Sequence, residues 1–148
     1  MFSLLINTTP VEFQRRVHQA LKCWHDNHPK HGLLSDLLIA EQVTGCQSLT
    51  RRQSTNLLLE HGLARLAVFA PSDADLLRLR FFAGLHVREV QQSIHYSASM
   101  VYVKQGRAIA HLSAILYQWE TAAQQERPLT GENNWAERET LPSVFRNF

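Results

Sequence analysis

Cys23, His25, His28 and His31 crowd together where the first helical stretch ends. A thiolate and three imidazoles are ligand types that zinc prefers. Zinc ligand pairs, however, stand two to four residues apart within a closed four-ligand frame, and no second pair follows at such spacing. The cluster reads instead as a solvated, histidine-rich helix end, where imidazoles suit the negative pole of the helix dipole. Covalent catalysis by the same residues lacks an orienting partner and an oxyanion site. The chain offers no paired carboxylates, no nucleophile elbow and no phosphate-cradling Gly-Lys-Ser/Thr loop. The expectation is a protein that is not an enzyme, with no catalytic residue, no metal site and no cofactor.

The composition is that of a folded chain. Its 148 residues fit one domain or two very small ones. With 45% hydrophobic and 19% charged residues, it is neither disordered nor extreme. Fifteen Lys and Arg face thirteen Asp and Glu, a formal net charge of +2. That near-balance argues neither for nor against a nucleic-acid partner. The longest apolar runs, such as 66–70, fall far short of the roughly 20 residues that span a bilayer. Residues 1–6 are apolar but carry no basic leader or signal-sized core, so no membrane or secretion is expected. Cys23 and Cys46 then read as free thiols in a cytoplasmic protein.

The elements that position these side chains read as helices. Thr9-Pro10-Val11-Glu12 opens the first, which carries Phe13, Val17, Ala20, Leu21 and Trp24 on one stripe and stops at Asp26-Asn27-His28-Pro29. The spacing predicts a second helix over 33–44, with Leu34, Leu37 and Leu38 inward and Gly45 as its stop. Thr50 and Gln53 form a capping box for a third helix with Leu57, Leu58, Leu63 and Leu66; Pro71 closes it. Gly62 within it marks a bend or a close helix contact. Ser72-Asp73-Ala74-Asp75 opens a fourth helix, with Leu76, Leu79 and Phe82 inward and Gly84 as its end. A short fifth helix covers 87–93. Ser97 caps a long sixth, whose stripe of Val101, Ala108, Leu112, Ile115 and Trp119, reinforced by Ile109 and Leu116, suits either the chain's own core or a dimer seam. Arg15-Arg16 and Arg51-Arg52 fall on solvated faces. No alternating strand pattern of useful length occurs. The fold class is all-α: a helical bundle with a C-terminal helix-turn-helix and an extended C-terminal tail.

Within 73–116 a short helix, a tight turn and a capped longer helix follow one another, which is the layout of a helix-turn-helix. The run Leu76-Leu77-Arg78-Leu79-Arg80-Phe81-Phe82-Ala83-Gly84-Leu85, then Val87-Arg88-Glu89-Val90, Ser97, Val101-Tyr102 and Arg107-Ala108-Ile109-Ala110-His111-Leu112 resembles region four of bacterial sigma factors and LuxR-type domains. The resemblance covers about a third of the chain. It implies that Val87 and Val90 pack the first motif helix, that Val101, Ile109 and Leu112 pack the second, and that Glu89 steadies the start. It further implies that Ala98, Ser99, Tyr102 and Val103 face the major groove, while Arg88, Lys104 and Arg107 reach phosphates from the flanks. Gln91 stands where the family commonly has a small alanine, and His95 where it has a left-handed glycine. The reading face holds no Arg, Lys, Asn or Gln fork. Residues 10–70 more faintly resemble the helical segments that precede such motifs in some bacterial regulators.

After Glu126, Pro128, Gly131, Asn133 and Asn134 make a linker. Trp135, Leu141, Val144, Phe145 and Phe148 beyond it are candidate partner-binding residues that dock on the body or on another protein. The expected organisation is an N-terminal helical segment (1–71), a helix-turn-helix with a long last helix (72–126) and a docking tail (127–148). The expected function is that of a DNA-binding module of a transcription regulator. The alternative is a protein-interaction adaptor, or a homodimer, built on a helix-turn-helix that no longer reads DNA.

Overall fold

The computed structural model describes residues 10–25, 33–45 and 47–126. Among them the chain is all-α, with six helices and no strand. Helix α1 (Pro10–Lys22) starts on a proline, whose missing N–H costs nothing at that position. It buries Phe13, Val17, Ala20 and Leu21. Trp24 lies in the turn beyond rather than on the helix, half-buried, and stacks on Phe82 with ring centroids 3.6 Å apart. Thr9 and the predicted stop at 26–29 lie outside the described residues.

Helix α2 (Leu38–Thr44) is shorter than its leucine spacing predicts. Residues 33–36 form a turn because their backbone is engaged elsewhere. Arg16 donates to the Leu33 carbonyl and, at 2.9 Å, to the Asp36 carboxylate. The Leu34 N–H goes to Thr55 Oγ1 at 3.3 Å. Leu34 and Leu37 are buried all the same, so the apolar pattern is satisfied without a helix. Gly45 ends α2 at φ 62°.

Helix α3 (Arg51–Phe69) opens on the predicted capping box, with Gln53 N–H to Thr50 Oγ1 at 3.1 Å and Thr50 N–H to Gln53 Oε1 at 2.9 Å. Leu58, Leu59, Leu63 and Leu66 are buried, and Leu57 half-buried. Two of the four paired arginines depart from the solvated faces expected of them. Arg16 is half-buried against the turn ahead of α2, and Arg52 is buried, donating to Asn56 Oδ1 at 3.1 Å. Arg15 and Arg51 are exposed.

Helix α4 (Pro71–Leu77) begins on the proline itself and runs into a five-residue π segment, Arg78–Phe82. A π turn inserts one residue into the helical phase. Leu76, Leu77 and Phe81 are therefore the buried set, while Leu79 and Phe82 of the regular spacing are only half-buried. Helix α5 (Val87–Ile94) follows, and helix α6 (Ala98–Glu126) extends for about 43 Å.

The main core draws on α1, α2, α3, α4 and α6, so it crosses the position near 71 where the chain divides by sequence. Along α6, Ala108, Ile109, Leu112, Leu116 and Trp119 are buried in that core, with Ile115 half-buried. The stripe that also suited a dimer seam is thus filled by the chain's own helices. Gly62 sits where α3 meets α6, and a Cβ there would lie 2.7 Å from Leu112 Cδ1. Of the two readings for that glycine, the close helix contact is the one the packing supplies. Among the described residues no helix is long and apolar enough to cross a membrane.

Candidate nucleic-acid interface

A second, smaller core holds α5 against the start of α6. Leu76, Val90 and Val101 are buried together, with Leu79, Leu85, Val87 and Ile94 packed around them. Glu89 Oε1 accepts the His86 N–H at 3.1 Å and so steadies the first turn of α5. His95 ends α5 in the left-handed conformation, φ 58° and ψ 35°, a region that glycine enters most readily. Its N–H closes on the Gln91 carbonyl at 2.8 Å. Gln91 itself lies within α5 and is half-buried. Ser97 Oγ accepts the Met100 N–H at 3.2 Å, the predicted cap of α6.

Arg80 ties this unit to the body, a role that sequence spacing does not disclose. Its Nε donates to Gln105 Oε1 and its Nη1 to the Leu85 carbonyl, each at 2.7 Å. Gln105 is buried, so it needs that partner. Arg80→Ala is expected to cost about 2 kcal/mol, since it leaves a buried amide unpaired. Arg80→Lys should recover only part, because an ammonium lacks the planar fork that serves both acceptors. Thermal unfolding of the two variants measures this, and equal stability of Arg80→Ala and wild type would contradict it.

Helix α6 enters the main core only at Ala108. Ahead of it, Val101 and Gln105 alone are buried. At 100° per residue the direction opposite these two falls on Ser99, Val103, Gly106 and Arg107. Ala98, Ser99, Tyr102, Val103 and Arg107 are exposed, as is Arg88 on α5, and Lys104 is half-buried. The structure thus brings the α6 candidates onto one helix end ahead of the main core, with Arg88 exposed on the neighbouring α5. Lys104 is drawn to one edge, its Nζ 5.6 Å from the Tyr96 ring centroid.

Two features of this end are legible in the sequence once the geometry points to them. From Val90 to Trp119 the chain contains no Asp or Glu, so Lys104 and Arg107 have no carboxylate on their own helix until Glu120. Overall near-neutrality conceals this local basic end. Gly106 is the other feature. A helix-interior glycine costs about 1 kcal/mol relative to alanine. No φ constraint applies at Gly106, and a Cβ there would meet nothing within 4 Å. The packing of the described residues gives no reason for it.

Of the sulfur and imidazole cluster, Cys23 and His25 are among the described residues. His25 Nε2 is 2.8 Å from the Phe82 carbonyl, and Cys23 Sγ accepts from Gln19 at 3.7 Å. Cys23 is a free thiol. His28, His31 and Cys46 lie outside the described residues, within which no group of metal ligands is assembled. A shallow groove of about 640 Å³ between α1 and α6 is lined by Phe13, Ala110, Ala114, Tyr117 and Ala122, with no acid, cation or thiol among its described walls. Trp135, Leu141, Val144, Phe145 and Phe148 also lie outside the described residues. Comparison with protein-family models, curated proteins and solved structures gives no match.

Proposed function

We propose that this chain is a DNA-binding module of a cytoplasmic transcription regulator, of the sigma-region-four kind, with α5, its turn and α6 as a helix-turn-helix. The observation that carries the reading is the end of α6 ahead of the main core. Ala98, Ser99, Tyr102, Val103 and Gly106 face outward there, with Arg88, Lys104 and Arg107 around them. In this reading α6 enters the major groove, and the three cations hold phosphates. Ser99 and Tyr102 hydroxyls add single hydrogen bonds. Three phosphate contacts predict a log–log salt slope of about −3, shallow for a DNA binder.

A gel-shift or fluorescence titration of duplexes selected from a random pool at low salt tests the proposal. Arg107→Ala should weaken binding and reduce the slope by about 0.9. Failure to enrich any duplex, with no retardation at micromolar protein, overturns it.

A second reading, a protein-docking adaptor, is favoured by one observation. Tyr96, Met100, Tyr102 and Val103 are four of the seven large hydrophobic side chains exposed among the described residues. That reading predicts capture of a protein partner that salt does not disrupt, that Val103→Asp abolishes, and that no DNA competes away.

A further inference from the structure

We infer that the groove between α1 and α6 is the docking site of the chain's own C-terminal segment, with Leu141, Val144, Phe145 and Phe148 seated in it. The inference does not rest on the DNA reading, since the groove begins at Ala110, behind the proposed interface. On α6 it is lined by Ala110, Ala114, Tyr117, Thr121 and Gln125, at steps of three and four residues. One face of the helix therefore forms the wall over about 22 Å. Pro10 and Phe13 of α1 stand opposite. The alanines leave a volume of about 640 Å³ open, and none of the described wall residues is charged. Such a groove takes the apolar face of an amphipathic helix, anchored at i, i+3, i+4 and i+7. Leu141, Val144, Phe145 and Phe148 stand at that spacing, with Pro142, Ser143, Arg146 and Asn147 between them. Small side chains on the wall meet bulky ones on the segment.

Chain connectivity supports the same occupant. The groove extends to Gln125, next to Glu126, the last residue of α6. Phe13, one turn into α1, meets Tyr117 edge-on at 5.3 Å, and His25, beyond the end of α1, lies 2.8 Å from the Phe82 carbonyl. Arg80 of the same π segment holds Gln105 in the early turns of α6. Helix α1 therefore runs antiparallel to α6, with Pro10 toward the Glu126 end. The chain before Pro10 and the chain after Glu126 both join the body at this end, and either must double back to lie in the groove. Before Pro10, only Asn7, Thr8 and Thr9 separate α1 from the apolar Phe2, Leu4, Leu5 and Ile6, a reach of about 11 Å for the reversal. After Glu126, residues 127–134 reach about 28 Å, more than the length of the groove. They include Pro128, Gly131, Asn133 and Asn134, the residue types that turns use. A tether of that length holds the anchors at about millimolar local concentration, so they outcompete a second copy of the chain at micromolar concentrations.

The test uses the full chain and trypsin, with Arg138 and Arg146 as reporters inside the segment. A free peptide of residues 127–148 gives the unprotected rate of cleavage at the same two sites. In the full chain both sites should be cut at least about tenfold more slowly, because cleavage tracks the fraction of undocked segment when opening is fast. Ala114→Arg places a cation in the groove at an exposed position of α6 that belongs to no core. It should bring both sites to the peptide's rate, with helical circular dichroism unchanged. Phe145→Ala combined with Phe148→Ala should do the same at Arg138 without touching the groove. Cleavage of the wild-type chain at the peptide's rate overturns the inference, as does protection that survives Ala114→Arg. Protection that rises with protein concentration, together with a dimer by light scattering, overturns it in favour of a second copy.

Discussion

Replacing Glu120 by alanine should lower the unfolding free energy by about 3 kcal/mol, the combined scale of a lost helix cap and of buried donors left unpaired. Glu120 is 1% exposed. Its carboxylate accepts the Ile39 N–H at 3.0 Å, the Leu38 N–H at 3.2 Å and Gln124 Nε2 at 2.9 Å. It therefore caps α2 from the far end of α6, at a helix start that has no capping side chain of its own. Burial pushes its pKa above the ordinary carboxylate range, against the pull of the bonds from Gln124, Ile39 and Leu38. The sign of the pH effect follows. The folded chain holds a proton that the unfolded chain begins to release near pH 4.3. That contribution to stability is complete below this pH and is lost as pH rises through the higher folded value. Glu120→Gln does not titrate, so the stability difference between wild type and Glu120→Gln should shift toward the glutamine variant between pH 4 and pH 7. Urea unfolding at the two pH values measures the shift. A constant difference would contradict the assignment of a raised pKa to Glu120.

Gly62→Leu should destabilise the protein by about 3 kcal/mol, the upper range for overpacking a filled core. The first added carbon lies 2.7 Å from Leu112 Cδ1 and 3.0 Å from Leu116 Cδ2, and both leucines are fully buried. Three further carbons have no free volume. Gly62→Ala is the informative contrast. Its single methyl group meets only the ends of flexible side chains, and alanine gains about 1 kcal/mol of helix propensity over glycine. Its stability should therefore fall within about 1 kcal/mol of wild type. Leu112→Ala in the Gly62→Leu background should recover part of the loss, because the two sites share one volume. Thermal melts of the three variants provide the measurement. A Gly62→Leu variant as stable as Gly62→Ala would show that the α3–α6 contact is looser than the distances state.

Much of the local structure was legible because its causes are local. The Thr50–Gln53 box, the proline start of α1, Gly45 as a stop and Ser97 as a cap each involve groups within a few residues of one another. The left-handed turn at His95 belongs with them. The start of α2 was not legible, because Arg16, Thr55 and Glu120 decide it, and none of them is its neighbour in sequence. The burial of Phe81 in place of Phe82 was hidden as well, since a π turn shifts phase without leaving a mark in residue spacing. At the candidate interface, the residues came from the resemblance to a helix-turn-helix, and the acid-free run from Val90 to Trp119 was present in the sequence but masked by the overall balance.

The sequence by itself determined that the chain is all-α, where most helices begin and stop, and which side of α6 faces outward. Capping and amphipathic spacing are short-range and leave a readable pattern. Only the tertiary structure decided that the α6 stripe is used within the chain, that Glu120 starts α2, and that Arg80 fixes the α5–α6 unit to the body. Each of these is a contact between segments far apart in sequence. Such a contact depends on how the helices pack as a set, and no single helix carries a trace of it.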